Sequence, residues 1–376
     1  MRRVLLTILA AIMGLALLTA CEESAGAQVH LGESVKIGLN LELSGSRAEL
    51  GDQSLKGAQL AVNQLNESGG VLGKPIELVV ADNASDGGRA VAVSMQLMTK
   101  EKVLAILGPA SNPLFALTNT VAAQQEVPQV SVAACSQATM LDEDGQLYPY
   151  SFRTCTGEDA QGRAMARFAS QNLAATQALV LKLGEAQYAT DLATGFTEVF
   201  TEAEGAIIGT EDFVADQDDL SGFVDAAAGA EVVFIAGPAA DSGRIIKALR
   251  DGGVSAPVVG SYLFDNPAFG EAAGAGMLDD VYHAVRFTQF DTSNSRAQDF
   301  VEAFGATYDG ATPSVEAALA YDAMLLITDS IARAAAPTGV EVREAMASTT
   351  GLSAATGQLS IGSDQQPRGD TMVIKL

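Results

Sequence analysis

The chain has 376 residues, 48% of them hydrophobic and 18% charged, with no tryptophan and a formal charge of −24. Such a length supports two buried lobes of ordinary domain size, and the composition is globular rather than disordered. The strong acidity excludes nucleic acid as a partner and a basic membrane-docking face.

Arg2 and Arg3 precede an apolar run from Val4 to Leu18, which ends in small residues before Cys21. The run is shorter than the ~20 residues a spanning helix needs, and a cleavage site follows it, so it reads as an export signal. Residues 1–20 are expected to be removed, leaving Cys21 as a lipidated N-terminus on a polar tether, residues 21–34. The mature chain is then expected at a membrane surface, in the periplasm, held by lipid.

From Val35 short β-rich runs alternate with amphipathic stretches. Val35–Leu41 is the first predicted strand, followed by Leu55, Ala58, Val62 and Leu65 at helical spacing. Further strands are predicted at Ile76–Val80, Val103–Leu107 and Val127–Val132, with Asp86 as a helix cap between the first two. The rhythm restarts with strands at Ala178–Leu183, Ala206–Gly209, Glu231–Ala236, Pro257–Gly260 and Val281–Phe287. Helices around Ser295–Tyr308 and Val315–Ala335 follow, then weak strands at Gln358–Ile361 and Met372–Ile374. Continuous apolar strands separated by helices imply parallel sheets covered on both faces. The predicted class is α/β, with two doubly wound parallel-sheet lobes.

The strongest local motif is Gly108-Pro109-Ala110-Ser111-Asn112-Pro113, at the end of a buried strand. Asn112 suits a helix N-cap and Pro113 the first turn, so backbone amides there would face an anion such as a carboxylate. Open α/β sheets bind ligands at the carboxyl ends of their strands. The exit loop Ala133-Ala134-Cys135-Ser136 is small enough for a ligand to approach its backbone. Tyr188 holds the equivalent strand-to-helix position in the second half. Cys135 and Cys155, twenty residues apart, are candidates for a disulfide, and the sequence leaves open whether they are bridged.

Other patterns carry less. Gly70–Pro75 has the wrong spacing for a phosphate loop and a proline where Ser or Thr is required. His30 falls in the tether and His283 in a predicted strand, which argues against a serine–histidine hydrolase. No metal-ligand spacing is present. Asp216, Asp218 and Asp219 read as a solvated helix start. No enzyme activity, cofactor or metal is expected.

Several segments in this order resemble the branched-chain amino acid-binding proteins of ABC importers. They are VKIGLNLELSG from Val35, LGDQSLKGAQLAVNQLNESGGVLGKPIELVVADNAS from Leu50 to Ser85, VLAILGPASN ending at Asn112, YSFRTCTGEDAQG from Tyr150, and AALAYDAMLLITDSI from Ala317. The resemblance implies the type I periplasmic-binding fold, two lobes joined by three crossovers with the ligand between them. It implies a first lobe of residues 35–152 with 286–335, and a second of 153–285 with 336–376. It further implies a small-molecule ligand, an amino acid or related carboxylate metabolite, and an ABC permease as partner. On the same fold, a lipoprotein regulator or sensor ectodomain is the alternative.

Carried over by position, the ligand contacts fall on Leu50, Ser111, Asn112, Ala133, Ala134, Cys135 and Tyr188. At Cys135 a thiol stands where the family has a threonine hydroxyl. Two residues past Gly260, where many amino acid binders place an acid for the ligand ammonium, this chain has Tyr262, with Asp265 three further on. Either Asp265 takes that role or the ligand lacks an ammonium group.

Overall fold

The computed structural model describes residues 32–291, 293–369 and 371–376. The export signal, Cys21, His30 and most of the tether lie outside the described residues. In the first unit, strands β1 (Val35–Leu41), β2 (Ile76–Asp82), β3 (Ile106–Leu107), β4 (Gln129–Ser131) and β5 (Ser151–Arg153) form a parallel sheet in the order β2-β1-β3-β4-β5. In the second, β6 (Gln177–Leu183), β7 (Ala206–Phe213), β8 (Val232–Ala236), β9 (Val258–Gly260) and β10 (Val281–Val285) repeat that order. Strands β11 (Leu352–Ala354), β12 (Gly357–Ile361) and β13 (Pro367–Arg368) make a small antiparallel sheet. The last strand, β14 (Met372–Lys375), closes the second sheet antiparallel to β10. Both large sheets therefore reverse their winding direction between their first and third strands, where α/β sheets open a crevice.

The helices follow from apolar spacing and caps. Helix α1 (Ala48–Glu67) buries Ala58, Ala61 and Val62 on one face, and α2 (Gly87–Gln96) starts on Asp86, whose carboxylate accepts the Arg89 N–H at 2.8 Å. Helices α3 (Asn112–Gln125), α4 (Glu158–Gln171) and α5 (Gln187–Glu202) come next, then α6 (Ser221–Ala226), α7 (Ala239–Asp251) and α8 (Pro267–Ala273). The last three are α9 (Ser295–Thr307), α10 (Val315–Arg333) and α11 (Gly339–Ala347). Asp219 accepts the Ser221 N–H at 3.0 Å just before α6, as a solvated helix start requires.

Period-two alternation sets the second core. Ala178, Val180, Val232 and Phe234 face one layer, where Phe234 stacks on Phe196 at 4.4 Å between centroids. Leu179, Leu181, Val233 and Ile235 face the other, with Phe264 stacked on Phe269 at 4.3 Å. His283 is wholly buried in β10, and burial lowers its pKa to about 4. In the first unit, α1 and α10 approach closely enough that a Cβ on Gly57 would lie 1.9 Å from the Ala317 carbonyl oxygen.

The chain passes between the units three times: after β5, after β10, and between β13 and β14. The tail differs from its expected assignment. Val342, Met346, Ala354 and Leu359 belong to the core that holds β1 and α10, so residues 339–361 pack on the first unit rather than the second. Asp322 of α10 fixes them there, accepting the N–H groups of Ala355 at 2.7 Å and Thr356 at 3.0 Å. Only β14 joins the second sheet.

Candidate functional site

The carboxyl ends of β1, β3 and β4 build one wall. Gly108, at φ +96°, makes the tight exit from β3, and a Cβ there would lie 2.2 Å from the Asn40 carbonyl oxygen. Glu42, just past β1 and fully buried, accepts from the Ala110 N–H at 3.1 Å, the Ser111 N–H at 3.0 Å and the Ser111 hydroxyl at 2.7 Å. Three donors at the turn expected to face a ligand carboxylate are thus engaged by the chain's own carboxylate. The helix boundary moves with them: Ser111, not Asn112, is the cap residue of α3, and its hydroxyl serves Glu42 instead of the helix.

The exit loop of β4 is held as firmly. Ala133 N–H donates to the Ala110 carbonyl at 3.2 Å, Ala134 N–H to Ser131 Oγ at 3.1 Å, and Ser136 N–H to Asn112 Oδ1 at 3.1 Å. Cys135 and Cys155 are bridged, with Cα atoms 5.7 Å apart. The Cys135 sulfur is therefore part of a disulfide and not a free thiol facing the ligand. Beneath the loop, fully buried Arg153 donates to the carbonyls of Ala134, Cys135 and Ser136, which fixes the loop's path. Burial lowers the Arg153 pKa from its ordinary value, opposed by Glu158 and other carboxylates.

The second unit supplies the facing wall. Glu158, the first residue of α4, is 3% exposed, and its Oε2 has no hydrogen-bond partner among the described residues. Burial raises its pKa to about 7, against the opposing pull of Arg153 and the Asn112 side chain. Tyr188 is half-buried against the second core, and burial with the nearby charges of Asp241 and Glu158 raises its phenol to about 12. Tyr262 follows β9; its N–H meets Gln161 Oε1 at 3.3 Å, and burial together with Glu158 and Glu316 holds its hydroxyl protonated. The hydroxyl of Ser136 crosses between the units to Asp191 Oδ2 at 2.8 Å.

Two spaces that share lining residues lie between the walls. The inner one spans about 390 Å³, part of it open solvent, and is lined by Ala133, Cys135, Thr156, Gln161, Tyr262 and Glu316, among others. The outer one is far larger, about 2480 Å³ open to solvent, and runs from Leu50 of α1 to Tyr262, Asp265 and Phe290. Tyr262 and Glu316 border both. Leu50, Ala133, Cys135, Tyr262 and Asp265 are thus brought together on one crevice. Ser111, Asn112, Ala134 and Tyr188 are not among the residues lining these two spaces; Ser111 and Ala134 are buried, and Asn112 and Tyr188 are half-buried. Asp265 is exposed, and its carboxyl is pushed upward by desolvation and by Glu316.

A family model described as "Periplasmic binding protein" matches residues 34–376. The chain belongs to the periplasmic binding protein family. It is similar to the Leu/Ile/Val-binding protein homolog 3 of Brucella melitensis, with 25% identity over 274 residues, 72% of either chain. Among solved structures it is similar to LivJ, a branched-chain amino acid transporter substrate-binding protein of Streptococcus pneumoniae in complex with isoleucine. The identity there is 30%, the TM-score 0.76, and the match covers 91% of this chain and 96% of that one. It is also similar to the leucine-binding protein LivK of Thermotoga maritima, at 26% identity and TM-score 0.75, covering 91% and 95%.

These are binding proteins, not enzymes, and the two-lobed α/β architecture is that of the type I members of this periplasmic binding protein family. Sequence reasoning missed Glu42, Arg153, Glu158 and Asp191. Glu158 had the clearest signal, a charged residue inside YSFRTCTGEDAQG just before a helix, where acidic residues are usual and so pass unremarked. Glu42 had none, because its partners are 68 and 69 residues away.

Proposed function

We propose that this chain is the lipid-anchored receptor of an ABC importer, binding an amino acid or a related small polar or carboxylate metabolite between its lobes and delivering it to the permease. The observation that carries the reading is the crevice itself. Leu50 and Ala133 of one unit face Tyr262 and Asp265 of the other across open space, at the carboxyl ends of two sheets with the same winding. The amino acid binding named for the similar proteins supports the ligand class.

Closure follows from the connections. Three short segments join the units, so one unit can rotate against the other without disturbing either core, and the ligand's contacts are completed only when both walls meet it. A micromolar dissociation constant corresponds to about −8 kcal/mol, within reach of a largely desolvated small ligand held by a few placed polar groups. The permease would read the aligned lobe surfaces of the closed form. Lipidation at Cys21 would keep the receptor beside it, and no helix of the described residues is long and apolar enough to cross a membrane. Site residues proposed for contact are Leu50, Ala133, Tyr262 and Asp265, with Asn112 and Tyr188 behind them. Calorimetry of the mature protein against the standard amino acids, small amides and short carboxylates tests the reading. Saturable one-site binding of a member is expected; silence across the panel would overturn it.

A further inference from the structure

Tyr262, which borders both spaces, is held by a side chain from outside its own turn. The turn Tyr262–Asp265 follows β9 and is anchored from within through Phe264. The Phe264 N–H donates to the Ser261 carbonyl at 3.1 Å, and its ring lies so close over β9 that a Cβ on Gly260 would sit 2.2 Å from it. The Tyr262 N–H has one acceptor among the described residues, Gln161 Oε1 at 3.3 Å. Gln161 Nε2 donates at 3.0 Å to the Thr156 carbonyl, so the two ends of one amide hold two separate stretches of chain.

Those stretches reach back to opposite walls. Thr156 follows Cys155, and the disulfide ties Cys155 to Cys135 on the exit loop of β4. A continuous path thus runs from the first wall to the second through Cys135, Cys155, Thr156, Gln161 and Tyr262, and all five line the inner space. Gln161 stands on a rigid base. It is 4% exposed, and its N–H donates to the Gly157 carbonyl at 3.0 Å. The next residue, Gly162, lies where α4 presses on α5, and a Cβ there would sit 2.1 Å from the Leu192 carbonyl oxygen. A side chain locked in this way passes its own precision to the group it holds.

We propose that Gln161 is the positioning residue of the crevice, fixing Tyr262 at the border of the two spaces and in register with the Cys135–Cys155 wall. This rests on the reading of the crevice as the ligand site. Gln161 acts on ligand affinity through Tyr262. An amide suits the task because it offers an acceptor and a donor from one end, and losing it strands the Tyr262 N–H and the Thr156 carbonyl together.

The test combines hydrogen exchange with calorimetry of the mature protein, using leucine as the probe. Q161L removes both bonds at similar side-chain length. Its exchange over residues 261–265 should quicken roughly tenfold while β8 and β9 stay as in wild type. Its leucine affinity should fall roughly fivefold, the measure of one lost hydrogen bond. In Q161E the protonated carboxyl can make both bonds again, so its affinity relative to wild type should climb from about pH 8 to about pH 5. Unchanged exchange over 261–265 would overturn the proposal, as would leucine binding by Q161L equal to that of wild type. A lower melting temperature with neither of the other changes would make Gln161 a stability residue only and would overturn it too. If Q161L does not fold, the pH profile of Q161E decides, and a flat ratio to wild type counts against the assignment. If wild type does not bind leucine, exchange alone judges the hold on Tyr262, and the broader panel judges the receptor reading separately.

Discussion

Ser136 and Asp191 join the two units through a single 2.8 Å hydrogen bond from hydroxyl to carboxylate. The donor sits on the exit loop of β4 and the acceptor on α5, so the bond exists only while the lobes face each other. Gln187 holds the other Asp191 oxygen at 2.8 Å, which fixes the acceptor in place.

Removing this latch should favour separated lobes. A hydrogen bond to a charged group contributes about 1.5–3 kcal/mol, and part of that is regained from water once the lobes open. S136A is therefore expected to raise the radius of gyration of the ligand-free protein in solution scattering. It should also weaken ligand binding roughly three- to tenfold, the cost of a less populated competent state. An unchanged scattering profile would mean the bond does not hold the lobes together.

Buried acids should make stability fall as pH rises from acid toward neutral. Glu158 has a folded pKa of about 7 against an ordinary 4.5. Below about 4.5 it is protonated in both states and costs nothing. Between 4.5 and 7 the unfolded chain gives up its proton first, so the native state loses ground, and above 7 the loss is constant. The shift corresponds to at most about 3 kcal/mol. Asp322, fully buried and raised to about 6, acts in the same direction over a lower window. Urea denaturation at stepped pH should therefore show E158Q gaining on wild type between pH 4.5 and 7 and keeping a constant advantage above it. A difference that does not vary with pH would place the titration elsewhere.

The bridge between Cys135 and Cys155 should be present in the purified protein. Alkylation after denaturation without reductant should leave both cysteines unlabelled, and labelling of either would contradict the bridge. Closing a loop of twenty residues is worth roughly 3 kcal/mol in the chain-entropy picture, so C135S/C155S should melt earlier. Because Arg153 also holds the loop through three carbonyls, the double variant should still bind ligand, with affinity reduced less than stability.

The regular layers were legible because their signals are local. Val35–Leu41 is the strand its apolar run announces, and Asp86 caps α2 through a bond three residues on. The site was less legible because its decisive contacts are distant in the chain. The cap of α3 shifted by one residue since Ser111 is drawn to Glu42, and nothing near either residue signals that pair. The tail packs on the first unit because Asp322 reaches the amides of Ala355 and Thr356, a bond between a helix interior and a loop that periodicity does not encode. Cys135 shows the same limit: spacing allowed a bridge, and only the 5.7 Å Cα separation decides it.

Tyr262 borders both the inner cavity and the outer crevice, which makes it the side chain best placed to meet a ligand held between the lobes. The most direct measurement is a calorimetric titration of wild type and Y262A with the amino acid that binds best in the panel. The expected result is one-site binding by wild type, an affinity at least tenfold lower for Y262A, and closely similar melting curves. Equal affinities with intact folding would contradict a ligand site between the lobes.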